Sequence, residues 1–158
     1  QPMQGGHHMG IISEAGCPAI ADPGSSVVRA AHELGLQVVP LVGPVSLLLT
    51  LAASGLNGQN FAFVGYLPQD ASERAQRVRA LEALALKNGQ TQLFIETPYR
   101  NAALWQALLQ TLQPSTQLTC AAGLTLAQAS IHTRSASQWR GHAIPVDNRT
   151  PAVFAIGG

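Results

Sequence analysis

A loop of small residues between residues 13 and 24 carries the clearest chemical signal in the chain. It follows an apolar segment and reads SEAGCPAIADPG. Gly16 and Gly24 permit close backbone approach and unusual dihedral angles, and two prolines stiffen the path. Glu14 and Asp22 are its only charges. A loop of this kind predicts a small-molecule site at the carboxyl end of a parallel strand.

Three carboxylates lie at loop or strand ends that a substrate could reach. Glu14 and Asp22 belong to the loop, and Glu96 follows a predicted strand. Such a carboxylate could act as a general base toward a hydroxyl group. The alternative is structural: the two loop carboxylates could anchor their own loop, and Glu96 could form an ion pair with Arg100, one helical turn further on. Both interpretations stay open at this point.

Composition describes a globular protein and excludes several classes. The chain has 158 residues, 46% of them hydrophobic and 11% charged, and a net charge of +1, so no global field would attract nucleic acid. No apolar run reaches the roughly 18 residues that a membrane span needs, and no secretory signal opens the chain. We expect a cytoplasmic protein with no membrane partner. Cys17 and Cys120 lack metal-type spacing, and no metal site is expected.

Elements of the first part alternate between strand and helix. Apolar runs predict strands at residues 9–13 and 36–42. Helical spacing predicts one helix from Ser25 or Ser26 to Gly35 and a second over residues 47–54. Strand, loop and helix in this order are typical of a parallel sheet with right-handed crossovers.

A polar turn at residues 57–60 predicts a domain boundary. The domains are then residues 1–58, a partial α/β domain, and residues 59–158, a mixed α/β domain. The second is expected to contain a helix from the Asp70 cap to Gly89 and another that begins at Thr97. Its predicted strands are residues 61–66, 91–96, 117–121 and 152–156, with an ambiguous segment at 124–133 and a short turn or helix at 135–139.

Four motifs together resemble a known family. They read SEAGCPAIADPG, VPLVGPVS, FVGYLP and FIETPYR along the chain. In this order they are similar to the tetrapyrrole methylase superfamily, most closely to its ribosomal RNA small-subunit (cytidine-2'-O)-methyltransferase branch. That branch reads roughly SDAGTPxISDPG, VxPxPGPSA, FxGFLP and YESPHR at the corresponding places. The resemblance covers nearly the whole chain from residue 10.

The resemblance implies a fold, a cofactor and a site. The fold is α/β, with S-adenosylmethionine held between a parallel-sheet amino-terminal domain and a mixed α/β carboxyl-terminal domain, usually in a homodimer. A pocket of small residues with few charges suits this donor. Glu14 and Glu96 are the implied catalytic candidates. The implied cofactor-binding residues are Glu14, Ala15, Gly16, Cys17, Pro18, Ile20, Asp22, Ser46, Ile95, Ala121, Pro151 and Ala152.

Two departures from the family pattern keep several functions open. The family has a further stretch ahead of this one, so we expect the chain to lack the amino-terminal part of the first domain and to leave a sheet edge exposed. Where the branch reads ARELTKxxE, residues 121–129 read AAGLTLAQA. The first hypothesis is a methyltransferase acting on a ribose 2'-hydroxyl of ribosomal RNA. The alternatives are a tetrapyrrole methyltransferase and a non-catalytic module that binds the donor or dimerises.

Overall fold

The computed structural model describes residues 3–158 of the chain. Contacts within the chain divide it into two compact units, Gln1–Val45 and Ser46–Gly158. The predicted boundary between domains at residue 58 stays a prediction. No helix within residues 3–158 is long and apolar enough to cross a bilayer.

The first unit contains one α-helix. A 3-10 turn over Met3–Gly5 precedes α1, which spans Ser25–Glu33, so the predicted helix is confirmed. The chain leaves α1 through Gly35, with the amide of Leu36 donating to the carbonyl of Ala31 at 2.9 Å. This hydrogen bond satisfies one of the carbonyls that a helix end leaves unpaired.

Two strand predictions in this unit are wrong. Residues 9–13 and 36–42 form no ladder with any described residue. Their apolar side chains lie in solvent: Ile12 is 93% exposed and Leu41 is 84% exposed. An apolar run favours a strand only where a neighbouring strand offers hydrogen bonds and a face to cover. Neither is present for these two segments in the part of the chain that the structure describes.

The second unit is built on a five-stranded mixed sheet with the order β1-β2-β5-β3-β4. Only β1 and β2 are parallel, and the other pairs are antiparallel. The α/β class is confirmed, and the ambiguous segment supplies part of β4. The elements are α2 (Ser46–Ser54), β1 (Phe61–Tyr66), α3 (Ala71–Asn88), β2 (Thr91–Ile95), α4 (Asn101–Thr111), β3 (Gln117–Ala122), β4 (Ser130–Ser135), α5 (Ala136–Trp139) and β5 (Ala152–Gly157).

Helices α3, α4 and α5 cover one face of this sheet and enclose the core. Phe94 and Phe154 project from neighbouring strands with ring centroids 6.1 Å apart. Above them Trp105 and Trp139 meet edge to face at 5.0 Å. The indole nitrogen of Trp139 donates to the carbonyl of Leu118 at 2.7 Å, which satisfies its buried N–H.

Helix α2 packs on the opposite face. Leu47 and Leu51 are each 7% exposed, and the hydroxyl of Thr133 on β4 donates to the carbonyl of Ser54 at 2.7 Å. The hydroxyls of Thr133 and Thr119 are 2.7 Å apart, so the hydrogen bonds continue into the centre of the sheet. The carboxyl end of α2 is thereby fixed over β3 and β4.

Candidate cofactor-binding and substrate-binding site

One end of the sheet brings predicted site residues together. Ile95, the last residue of β2, pairs with Val153 on β5, and Val153 pairs with Ala121 on β3. These residues form one row across three strands and therefore share a face of the sheet. Ala121 is fully buried, Val153 is 5% exposed, and Ile95 is partly buried. Two of the predicted cofactor-binding residues thus lie in this row.

The next pair completes the cluster. Ala122 pairs with Ala152, and the amide of Gly123 donates to the carbonyl of Pro151 at 2.9 Å. A Cβ placed on Gly123 would stand 3.3 Å from the Thr150 methyl group, so this corner admits only a very small residue. The structure thus brings Ile95, Ala121, Pro151 and Ala152 to the same end of the sheet. Their role in binding stays a prediction.

The segment before Pro151 is held by a buried amide. Asn101 is fully buried, and its side-chain nitrogen donates to the carbonyls of Asp147 and Thr150 at 3.0 and 2.9 Å. Asp147 turns the same loop, accepting from the amides of Arg149 and Thr150 at 2.9 and 2.7 Å. These hydrogen bonds, first that of Arg149, lower the pKa of Asp147.

Sequence reasoning missed Asn101, although a signal was present. Asn101 falls three, four and seven residues before Leu104, Trp105 and Leu108, all of which face the core. A polar residue on the apolar stripe of a helix needs a hydrogen-bonding partner. Here the partner is the loop that leads to the predicted cofactor-binding residues Pro151 and Ala152.

Glu96 is a buried carboxylate with several donors. It is 7% exposed, and its Oε1 accepts from the amide and hydroxyl of Thr97 at 2.7 and 3.2 Å. The same oxygen accepts from Nε and Nη2 of Arg100 at 3.0 and 2.8 Å. The ion pair considered as the alternative to catalysis is therefore confirmed. The arrangement shows how Glu96 orients Arg100, while its role as a base stays a prediction.

The loop at residues 13–24 is a series of tight turns within the first unit. The hydroxyl of Ser13 donates to the carbonyl of Ala15 at 3.0 Å, and the amide of Ala19 donates to the carbonyl of Pro23 at 3.2 Å. Ala19 and Ala21 have φ values of 66° and 54°, which are uncommon for residues with a side chain. The predicted site residues Glu14, Ala15, Gly16, Ile20 and Asp22 are exposed, and Cys17 and Pro18 are half-buried.

The second predicted loop meets the first through Cys17. Its Sγ lies 3.7 Å from the carbonyl of Pro44, and a Cβ placed on Gly43 would be 3.4 Å from that sulfur. The structure therefore brings the two glycine- and proline-containing loops of the first unit together. Ser46, which follows the second loop, is exposed at the start of α2.

A separate shallow pocket of about 390 Å³ lies beside α4 and the segment after α5. Trp105, Trp139, Arg140 and His142 contribute to its walls. It includes none of the predicted site residues. The cluster at the sheet end is therefore the better candidate, because it is where sequence motifs and geometry coincide.

No family model matches the chain, but its sequence is similar to those of several curated proteins. It is 41% identical over 98 residues to a protein of Pseudomonas aeruginosa named ribosomal RNA small subunit methyltransferase I, covering 62% of this chain and 33% of that protein. It is 33% identical over 130 residues to the protein of the same name from Escherichia coli O157:H7, covering 82% of this chain and 44% of that protein.

Solved structures share the fold at low identity. The methyltransferase CobJ superposes with a TM-score of 0.55 at 18% identity, covering 90% of this chain and 62% of that one. A cobalt precorrin-4 methyltransferase, CbiF, gives a TM-score of 0.53 at 13% identity, covering 90% and 61%. These two structures and the two sequence relatives are all named methyltransferases.

The fold of this chain is that of the tetrapyrrole methylases. The chain spans 33% and 44% of the lengths of the two curated relatives. The solved structures show the fold alone.

Proposed function

We propose that the chain is part of an S-adenosylmethionine-dependent methyltransferase that modifies a ribose 2'-hydroxyl of small-subunit ribosomal RNA. The observation that carries the proposal is the meeting of Ile95, Ala121, Pro151 and Ala152 at one end of the sheet. These residues come from three separate parts of the chain, and the family resemblance had assigned all four to the donor. The names of the sequence relatives support the RNA acceptor.

The residues at this corner fit a nucleoside. Ala121, Ala122 and Ala152 carry the smallest side chains that still pack, and Gly123 stands where a Cβ would crowd the Thr150 methyl group. Such a corner lets backbone groups approach a flat purine, and few charges are required. When bound, S-adenosylmethionine supplies a methyl group on a sulfonium centre.

The residues of the chain act mainly by positioning. Asn101 and Asp147 hold the loop that presents Pro151 and Ala152. A pocket that holds the donor and the acceptor side by side makes their reaction effectively intramolecular. This is the main way in which positioning lowers the barrier to methyl transfer. Homodimerisation and a cytoplasmic location, both implied at the sequence level, remain part of the proposal.

A base is needed to remove the proton of a ribose hydroxyl. Glu96 already accepts four hydrogen bonds at one oxygen and is occupied in holding Arg100. Glu14 is exposed in the first loop, and no described residue donates a hydrogen bond to its side chain. Glu14 is therefore the better candidate to accept that proton.

Transfer of labelled methyl groups to small ribosomal subunits tests the proposal. The protein should label small-subunit RNA, and Glu14→Gln should reduce the rate by about 100-fold or more, as expected for loss of a general base. Glu33→Gln is the matched control, because Glu33 is an exposed carboxylate of the same unit. The control should retain the wild-type rate.

Other outcomes would contradict the RNA proposal. Label in uroporphyrinogen and none in RNA would favour a tetrapyrrole acceptor. Donor binding without transfer to either acceptor would favour the non-catalytic module. An unchanged rate in Glu14→Gln would remove Glu14 as the base while leaving the class of enzyme intact.

A further inference from the structure

A bulge near the end of β1 sets the direction of Tyr66. Phe63 pairs with Leu93, but Tyr66 pairs with Ile95, so three steps along β1 match two steps along β2. Gly65 lies within this irregularity with φ of 73°, a conformation that favours glycine. In a regular strand Phe63 and Tyr66 would point to opposite faces. The extra residue instead places Tyr66 on the face of Ile95.

Tyr66 therefore stands at the end of the predicted donor row. The row runs from Tyr66 through Ile95 and Val153 to Ala121 across four neighbouring strands. Tyr66 is 58% exposed, whereas Val153 and Ala121 are buried. A buried row of small and aliphatic residues thus ends in an aromatic ring that solvent can reach.

A second exposed tyrosine lies close to the same strand end. Tyr99 and Arg100 are in the 3-10 turn Pro98–Arg100, which follows β2 almost directly. Tyr99 is 66% exposed, and the guanidinium carbon of Arg100 lies 5.1 Å from the centroid of its ring. That distance is within the range of a cation–π contact.

The guanidinium of this pair is held in place. Two of its nitrogens donate to Oε1 of Glu96, itself buried and fixed by Thr97. The hydrogen bond to Glu96 raises the pKa of Arg100 most. Arg100 therefore stays a cation beside the exposed ring of Tyr99, and Tyr66 lies on the neighbouring strand, opposite Ile95 at the end of β2.

We propose that Tyr66, Tyr99 and Arg100 form a stacking surface for an unpaired base of single-stranded RNA, next to the predicted donor site. Aromatic rings and arginine planes are the groups on which proteins stack unpaired bases. The bulge at Gly65 directs one ring toward the donor row, and Glu96 fixes the cation. The inference rests on the proposed function, because it names how the RNA acceptor is held.

The chemistry of the patch favours a nucleobase over a tetrapyrrole. Two separate rings and one cation offer single flat faces of the size of a base. A macrocycle with several carboxylates needs a broad apolar trough and several cations. The cation that the structure describes at this strand end is Arg100, and its guanidinium already forms an ion pair with Glu96.

Fluorescence anisotropy with a labelled short single-stranded RNA tests the surface directly. The chain should bind the single strand more tightly than a duplex of the same sequence. Tyr99→Ala and Tyr66→Ala should each weaken binding by about tenfold, the usual effect of removing one stacking ring. Tyr99→Phe keeps the ring and should retain the affinity.

The matched control is Phe61→Ala. Phe61 is an aromatic residue at the opposite end of β1, 42% exposed, and its removal should leave RNA binding unchanged. Thermal unfolding of every variant separates loss of the surface from loss of the fold. Wild-type affinity in both tyrosine-to-alanine variants would overturn the inference, as would failure of the chain to bind RNA. Binding of uroporphyrin through these tyrosines, with none of RNA, would overturn it in favour of the tetrapyrrole acceptor.

Calorimetry with S-adenosylmethionine keeps this inference separate from the proposed function. Tyr99→Ala should bind the donor as the wild type does, because Tyr99 lies outside the row and is not among the predicted donor-binding residues. RNA binding that depends on the tyrosines, without any donor binding, would support the surface and contradict the methyltransferase. Donor binding with RNA affinity insensitive to the tyrosines would contradict only the surface.

Discussion

Replacing Asn101 by aspartate tests how the predicted cofactor corner is held. The two side chains have nearly the same shape, but the amide nitrogen that donates to Asp147 and Thr150 becomes an oxygen. That oxygen would face two backbone carbonyls at about 3 Å and could not donate to them when ionised. The site is fully buried, so water could not compensate.

The expected cost follows from those contacts. Each lost hydrogen bond removes about 1 kcal/mol, and an unpaired buried carboxylate brings the total to roughly 3–5 kcal/mol. For a protein of this size, that lowers Tm by about 10 °C. Asn101→Ala loses the same two hydrogen bonds without adding a charge, so it should cost about 2 kcal/mol.

The effect should also depend on pH with a definite sign. Burial raises the pKa of a carboxyl group above its unfolded value of about 3.9. The folded variant then holds its proton at a pH where the unfolded chain has lost it, so its stability falls as pH rises through the folded pKa. Acidification toward about pH 5 should therefore restore part of the stability that Asn101→Asp loses. Asn101→Ala carries no carboxyl group and should show no such recovery.

Thermal and urea unfolding between acidic and neutral pH measure this prediction. Asn148→Asp is the matched control: Asn148 is exposed in the same loop and uses its side-chain oxygen to accept from the amide of Ala102, which aspartate can also do. If Asn101→Asp is as stable as Asn148→Asp at neutral pH, the assignment of Asn101 as the donor that holds the loop is wrong.

Three smaller predictions concern other parts of the chain. Thr133→Val should lower the free energy of unfolding, measured in urea, by about 1–2 kcal/mol because it removes the hydrogen bond to Ser54. Thr133→Ser keeps the hydroxyl and should lower it less. Equal losses of stability in the two variants would contradict the role of that hydroxyl. Burial raises the pKa of Cys120 to about 12, so at pH 8 a thiol reagent should label the half-buried Cys17 first, and equal rates would argue against this burial. The pKa of Asp147 is lowered in the fold, so the stability that Asp147 contributes should be present above its unfolded pKa and lost as pH falls through its folded pKa. Asp147→Ala should remove this pH dependence from acid unfolding curves. An acid unfolding curve unchanged by Asp147→Ala would count against the prediction.

Local signals in the sequence predicted most of the second unit. Asp70 caps α3 by accepting from the amides of Ser72 and Glu73, and Gly89 ends that helix with φ of 61°. Both features depend on residues that are neighbours along the chain. Helix α5 begins with a local signal of the same kind, a complete capping box between Ser135 and Gln138.

The failures came from features that depend on distant residues. Residues 9–13 and 36–42 are apolar enough for strands, but a strand also needs a partner, and their own composition could not supply that information. The bulge at Gly65 was missed as well. A glycine inside a strand pattern is a signal for a bulge, and here it would have indicated the direction of Tyr66.

The site itself could be predicted only with the family resemblance. Ile95 and Ala121 join one row because β5 inserts between β2 and β3, so that both pair with Val153, and the chain does not follow this strand order. Periodicity alone could not show that insertion. Asn101 was also missed, because helix periodicity identifies a buried position without identifying the loop to which a polar residue there will bind.

Donor binding by the chain is the most direct test of the account. Calorimetry with S-adenosylmethionine should give a saturable heat at or below about 1 mM donor. Gly16→Val should abolish that heat, because Gly16 has φ of 74° and valine cannot adopt this conformation without strain. Gly10→Val, at a position in the same unit where a Cβ meets open space among the described residues, should retain it. Absence of heat in the wild type would contradict donor binding by the chain, and wild-type binding in Gly16→Val would contradict the predicted role of the loop at residues 13–24.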